Sequence, residues 1–183
     1  MSVLDIVRLG HPALRTPARR VEEDQLAGEE IDRLVADMLK TMRAASGVGL
    51  AAPQVGVDLQ LFVYEVPGES GGEERARGRV VVNPMVEPEP GEMVYDWEGC
   101  LSIPDLRGLV PRHPKVRVWG LDQAGEPLDY EAEGLEARIV QHEFDHLNGV
   151  VFLDRMRDLR SLSYSQELER YLSEDDTPSP AVG

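Results

Sequence analysis

A single cysteine, Cys100, stands among 183 residues, so no disulfide can form within the chain. The thiol is then a small buried hydrophobe, a nucleophile or a metal ligand. Long apolar runs are lacking as well: no stretch approaches the roughly 18 consecutive apolar residues that span a bilayer. The opening residues, Met1-Ser2-Val3-Leu4-Asp5, show neither the basic nor the apolar region of a secretory signal. A cytoplasmic protein with no membrane partner is expected. Positive charge is scarce, with 19 Lys plus Arg against 34 Asp plus Glu and a formal net charge of −15. Binding of DNA draws its affinity from Lys and Arg neutralising phosphates, so this balance argues against it and leaves only local basic patches. Internal repeats are absent too.

What is present is an ordinary globular composition, 42% hydrophobic and 29% charged, at a length that suits one hydrophobic core. We expect a single domain over residues 1–172, followed by an acidic and then Pro-rich tail, 173–183, that stays disordered. The Gly-rich, charged stretch Pro67 to Gly78 reads as an exposed loop or hairpin tip. From Glu29 to Ala45 the apolar residues Ile31, Leu34, Val35, Met38, Leu39 and Met42 form one stripe of an amphipathic helix. Ser46-Gly47-Val48-Gly49 breaks it. Strands are expected at Leu59 to Val66, Arg79 to Val82 and Val116 to Leu121, and further helices from about Leu135 to Leu147 and from about Arg157 to Leu172. Helices at the ends with strands between favour an α+β fold, mainly antiparallel strands around a central helix, over a wound parallel sheet.

That central helix carries His142-Glu143-Phe144-Asp145-His146. Histidines at i and i+4 share one helical face, so both imidazoles can reach one metal with Glu143 beside it, the arrangement of hydrolytic metal sites. With only 4 histidines in the chain, the string is about a one-in-a-hundred coincidence. Its bland alternative is two helix histidines bonded to backbone carbonyls and a solvated glutamate. A catalytic metal needs a third protein ligand and an open position. His11 and His113 each adjoin a proline, sit in no ligand motif, and are read as surface or structural residues. Cys100 falls in Glu98-Gly99-Cys100-Leu101-Ser102-Ile103-Pro104, where glycine before and proline after suggest a bent strand exposing backbone amides. The Gly-rich string Gly47 to Gly56 has neither G-x-G-x-x-G nor Gly-Lys-Ser/Thr, which argues against a nucleotide loop.

Together these strings resemble the peptide deformylase family. Its signature motifs have the form G-φ-G-φ-A-A-x-Q, E-G-C-φ-S and H-E-x-x-H, φ being apolar, and they occur here in the family's order at residues 47–54, 98–102 and 142–146. Ile6 to Arg15, Val110-Pro111-Arg112 and Gln141 are similar as well, so the resemblance runs from about Val3 to Asp154. It implies a metal-dependent hydrolase that removes the N-formyl group from the N-terminal formylmethionine of newly made proteins and releases formate. In that reading Cys100, His142 and His146 are the metal ligands. Glu143 takes a proton from water and passes it to the departing amine, while the Gln54 side-chain amide and the Leu101 backbone amide receive the developing oxyanion. Gly49 matches the position that hydrogen-bonds an extended substrate.

Val48, Leu135 and Ile139 are candidate walls of the methionine pocket, with core packing as the alternative; Leu135 and Ile139 lie seven and three residues before His142. The family is known as ferrous, so Fe²⁺ is expected, one ion per chain, with Zn²⁺, Ni²⁺ or Co²⁺ accepted by the same donors. Glu98 and Arg112 are read as an ion pair holding the Cys100 segment. Asp96, Trp97 and Arg138, the last one turn before His142, bear on preference beyond methionine. Expected partners are N-formylmethionyl nascent peptides, with a transient ribosome contact through Arg155, Arg157 and Arg160; a solvated helix face is the alternative for those three arginines. Two rivals remain. A zinc peptidase would draw its third ligand from a downstream Glu or His, but the only close downstream carboxylates, Asp154 and Asp158, sit in no such motif; a structural metal site would be closed by a fourth protein ligand.

Overall fold

In the computed structural model, which describes residues 2–26, 28–67 and 78–171, the first α-helix is α1 (Glu29–Ala44), preceded by two short 3-10 turns, Pro12–Arg15 and Glu23–Gln25. Strands β1 (Gly49–Ala51), β2 (Leu61–Tyr64), β3 (Arg79–Pro88), β4 (Val94–Cys100), β5 (Ile103–Arg112), β6 (Lys115–Leu121) and β7 (Pro127–Glu133) come next. Helices α2 (Gly134–Leu147) and α3 (Phe152–Arg155), strand β8 (Ser163–Tyr164) and helix α4 (Ser165–Tyr171) complete it. One antiparallel sheet runs in the order β1-β2-β3-β6-β7 and a second in the order β4-β5-β8. The fold is α+β, with antiparallel strands throughout the described residues.

Side chains alternate across a strand, and β2 buries both of its faces. Leu61 and Val63 pack with Ile31, Val35, Met38 and Met42 of α1, while Phe62 and Tyr64 pack on the opposite face with Ala137, Ile139 and Val140 of α2. All four residues of β2 are buried, which explains its continuous apolar sequence. A third cluster of Ile103, Val110, Val151 and Phe152 seats the second sheet against α3. Helix α2 therefore gives its apolar face to the larger sheet and turns its polar face toward β4 and β5.

Both long helices stop in paired C-terminal hydrogen bonds. After α1, Ser46 donates to the Arg43 carbonyl at 3.1 Å and Gly47 to the Met42 carbonyl at 2.9 Å. Ser46 takes the left-handed conformation, φ +55°, that glycine adopts more cheaply. After α2, Gly149 donates to His146 at 3.2 Å and Val150 to Asp145 at 3.0 Å. Gly149 has φ +71°, and a Cβ there would stand 2.7 Å from the carbonyl carbon of Arg15, so only glycine fits. These stops aim the chain after α1 into β1, alongside α2.

The structure corrects several expectations. The strand expected over Leu59 to Val66 narrows to β2, and the Gly-rich string Gly47 to Gly56 contains β1 and a 3-10 turn at Ala52–Val55. The strand expected to stop at Val82 continues to Pro88. Asn83, at φ +49°, is a bulge rather than a stop: the register against β6 shifts between Val82 and Met85. Its buried amide bonds the Val21 backbone in both directions, at 2.8 and 2.9 Å. The third helix expected over Arg157 to Leu172 does not form as one piece. Asp158 accepts from the Arg160 backbone N–H at 2.9 Å and starts a short 3-10 turn, Leu159–Ser161, a local bond that competes with helix. Ser163 then pairs with Arg107 of β5, and the helix begins only at Ser165. The 68–77 part of the expected loop and the tail 173–183 lie outside the described residues. No described helix is long and apolar enough to cross a membrane.

Candidate active site

Helix α2 presents His142, Glu143 and His146 to the second sheet, and Cys100 meets them from the end of β4. There the pairing with β5 shifts between Gly99 and Cys100, bending the strand as its flanking glycine and proline suggested. The Cys100 Sγ lies 3.2 Å from His146 Nε2, and the two imidazoles cross at 76° with centroids 5.0 Å apart. One donor atom from each of Cys100, His142 and His146 falls within 4.8 Å of the other two, the only such trio among the described residues. His142 Nδ1 is 2.9 Å from Glu98 Oε2, which leaves Nε2 as the nitrogen that could meet a metal. Two imidazoles and one cysteine sulfur, with no fourth donor grouped with them among the described residues, suit a divalent transition metal with an open position.

Burial pulls His146 well below its ordinary pKa, with His142 and Arg112 adding to the shift. Its neutral imidazole is the form that binds metal. Burial opposes the charge on His142 also, but hydrogen bonds to Cys100 and Glu98 outweigh it and raise that pKa, so a metal bound there would displace a proton. Burial would raise the Glu98 carboxyl; hydrogen bonds from His142 and Arg112 overcome it and hold the group well below the carboxylate range.

Glu98 is the hub of a buried ionic chain. Arg112 grips it through Nε at 2.8 Å and Nη2 at 3.0 Å, and reaches Asp145 of α2 through Nη1 at 2.6 Å. Asp145 in turn accepts from Arg155 at 3.0 and 2.5 Å. The expected Glu98–Arg112 pair is thus present, extended by Asp145, Arg138 and Arg155, whose roles the sequence alone did not reveal. Asp145 lay in plain view inside the His142 to His146 string.

Glu143 is buried with no ion-pair partner among the described residues. Desolvation pushes its pKa up to about 7, with Glu98 adding to the rise while His142 and Arg112 oppose it. Its Oε2 has no protein hydrogen-bond partner, and its Oε1 sits 2.3 Å from where a Cβ on Gly49 would stand. Gln54, in the 3-10 turn after β1, accepts from the Ala51 backbone N–H through Oε1 at 2.8 Å. That bond aims Nε2 at Cys100 Sγ, 3.5 Å away, and at Ser102 Oγ, 3.3 Å away. Ser102 is fully buried; its place in the cysteine motif was the available signal.

A cleft of about 670 Å³ opens beside these groups, with Val48, Gly49, Leu101, Leu135 and Ile139 among its walls. Val48 and Leu135 are exposed there and Ile139 is buried. Trp97 and Arg138 line it too, whereas Asp96 is exposed and accepts from the Trp97 backbone N–H at 2.7 Å.

The other histidines stand apart from the trio. His11 caps the 3-10 turn Pro12–Arg15 by accepting from Ala13, and the His113 backbone is bonded in both directions by Gln141, at 3.1 and 2.8 Å. Asp154 pairs with Arg15 and accepts from the Val151 N–H, and Asp158 pairs with Arg160; neither joins the trio, which removes the peptidase reading's third ligand. The three arginines expected on a third helix lie before α4. Arg155 and Arg160 are committed to Asp145 and Asp158, and Arg157 lies over the Tyr95 ring.

Donors of this kind around a carboxylate poised near neutrality define a metal-dependent hydrolase. Residues 3–161 match the family described as Polypeptide deformylase. Peptide deformylase 1 of Nitrosomonas europaea is 45% identical over 165 residues, covering 89% of this chain and 93% of the relative. Peptide deformylase 2 of Bordetella bronchiseptica is 46% identical with the same coverage. Among solved structures, the actinonin-bound class I type b peptide deformylase of Acinetobacter baumannii matches with TM-score 0.77 and 35% identity, over 85% of this chain and 99% of that one. The peptide deformylase of Synechococcus elongatus in complex with actinonin gives TM-score 0.78 and 39% identity, over 91% and 85%. The chain belongs to the polypeptide deformylase family and is a hydrolase that removes the N-formyl group from newly made peptides.

Proposed function

We propose that Cys100, His142 and His146 hold one Fe²⁺ and that Glu143, Gln54 and Leu101 carry out formyl hydrolysis around it. The observation that carries this reading is the convergence of the three donors within 4.8 Å, with Cys100 and His142 on the wall of the cleft, next to a buried carboxylate whose Oε2 has no hydrogen-bond partner among the described residues. Iron is inferred from the family resemblance, since the same donors accept Zn²⁺, Ni²⁺ and Co²⁺. When bound, such an ion acidifies water and polarises a carbonyl.

Glu143 takes the water's proton as the oxygen attacks the formyl carbon, then delivers it to the amine nitrogen as the C–N bond breaks; a carboxyl near neutrality serves both transfers. Charge grows on the former carbonyl oxygen. Nε2 of Gln54, aimed by its bond to Ala51, and the backbone N–H of Leu101 stabilise that charge more than the ground state. Gly49 bonds the extended peptide backbone, and Val48, Leu135 and Ile139 receive the methionine side chain. The enzyme meets formylmethionyl nascent chains in the cytoplasm, in transient contact with the ribosome. A net charge of −15 supports a role without DNA, and no membrane partner is part of the reading.

The test is formate release from a formyl-methionyl peptide by anaerobically purified protein, beside Glu143→Ala, with metal content determined on both. Wild type should release formate, and the variant should keep its metal while losing about 10²–10⁴-fold in turnover. Metal-loaded wild type that releases no formate contradicts the reading.

A further inference from the structure

Arg138 is a buried cation on the wall of the cleft, and its guanidinium is engaged by protein acceptors. Nη1 donates to Glu98 Oε1 at 2.8 Å and to the Val110 carbonyl at 2.9 Å, and Nη2 donates to the Val94 carbonyl at 2.7 Å. Arg138 lies four residues before His142 on the same helical face, so both side chains reach the same carboxylate, Arg138 at Oε1 and His142 at Oε2. Arg112, the other cation on Glu98, belongs to β5 and so acts largely within the second sheet. Its link to the helix is Asp145, three residues beyond His142. Arg138 ties the helix to β4 and β5 one turn before His142. The imidazole is thereby bracketed, and both oxygens of Glu98 are engaged.

We propose that Arg138 is a positioning residue of the metal centre: by clamping Glu98, Val94 and Val110 to α2, it fixes the His142 ring and sets the affinity of the site for its ion. The proposal rests on Cys100, His142 and His146 being the ligands. Partners that orient a ligating histidine are commonly worth about 10–100-fold in metal affinity.

Arg138→Met keeps a stem of similar shape and removes every donor. Arg138→Lys keeps the charge but not the fork that reaches two carbonyls at once. Co²⁺ affinity is measured by chelator competition, with the thiolate-to-Co²⁺ absorption band recorded, for wild type, both Arg138 variants and Cys100→Ser; kcat and KM are then measured at saturating metal. Arg138→Met should bind Co²⁺ about 10–100-fold more weakly, with an altered band and a loss that appears in kcat rather than KM. Arg138→Lys should fall between it and wild type. Wild-type Co²⁺ affinity in both variants, or an unchanged affinity with a raised KM, overturns the proposal and makes Arg138 a pocket wall. If Arg138→Met does not fold, Arg138→Lys decides: weaker Co²⁺ binding with an intact melting transition supports the proposal, and wild-type binding overturns it. Cys100→Ser separates the two levels. If it binds Co²⁺ as wild type does, the ligand assignment falls and this inference with it; if it loses Co²⁺ while both Arg138 variants keep it, only this inference falls.

Discussion

Glu143 Oε1 occupies the space that any side chain at position 49 would need, 2.3 Å from the ideal Cβ position on Gly49. The glycine of β1 and the glutamate of α2 are fitted to one another across the site. Gly49→Ala should therefore push the carboxylate aside rather than unfold the protein, since the clashing atoms are the end of a side chain. Displacing a catalytic group by about 1 Å commonly costs about 10²-fold in rate. Turnover on a formyl-methionyl peptide should fall by that order while metal content stays at the wild-type level. Wild-type turnover in Gly49→Ala would show that Glu143 does not work from this position.

Arg112 holds two buried carboxylates, Glu98 and Asp145, all three side chains being at most 6% exposed. Replacing it with Met leaves both short of a cation, and breaking a buried pair in this way costs about 3–5 kcal/mol. Urea unfolding of the chelator-treated protein should show a loss of that size. A loss under about 1 kcal/mol would mean that Arg138 and Arg155 carry the chain of charges without it.

Helix ends offer a pair of opposite predictions. Ser46 holds a left-handed conformation that costs a non-glycine residue about 1 kcal/mol, so Ser46→Gly should raise the thermal midpoint slightly. Gly149→Ala should lower it by an amount equivalent to about 1–3 kcal/mol, because its Cβ meets the Arg15 backbone. Calorimetry on the two variants checks the signs; the same sign in both contradicts the cap assignment.

Alkaline stability turns on Tyr64 and Tyr130, whose hydroxyls lie 2.8 Å apart, with Glu136 2.8 Å from the Tyr64 oxygen. Burial raises both phenol pKa values, and the neighbouring Tyr130 raises that of Tyr64 further. The folded state thus keeps protons that the unfolded chain releases above about pH 10. Stability is fully present below that pH and is lost as pH rises above it. Urea midpoints should drop between pH 9 and pH 11 (about one unit either side of a free tyrosine), and less steeply in Tyr130→Phe. A flat profile in wild type would contradict this.

Legibility in the sequence depended on how local each signal was. α1 was readable because its apolar stripe has the helical period, and the candidate ligand trio was readable because two of its members sit one turn apart on α2. Apart from the bent segment at Cys100, the strands of the second sheet were not: β4 is rich in acids and aromatics and β5 carries Pro104 and Pro111, so their identity comes from pairing with each other. Asn83-Pro84 looks like a strand end, yet tertiary bonds to Val21 hold Asn83 in a bulge. The expected third helix had adequate apolar spacing, but Asp158 captured a backbone N–H and β5 recruited Ser163. At the site, Cys100 was reached through its motif rather than its spacing. The double grip on Glu98 was hidden because Arg138 and Arg112 are 26 positions apart in the chain.

The central claim is that one ion sits among Cys100, His142 and His146, and X-ray absorption at the metal edge of the anaerobically purified protein tests it most directly. The account predicts one ion per chain with a single sulfur at about 2.3 Å, two imidazole nitrogens at about 2.0–2.1 Å and a further non-protein ligand. A spectrum without sulfur, or one closed by four protein ligands, would contradict it.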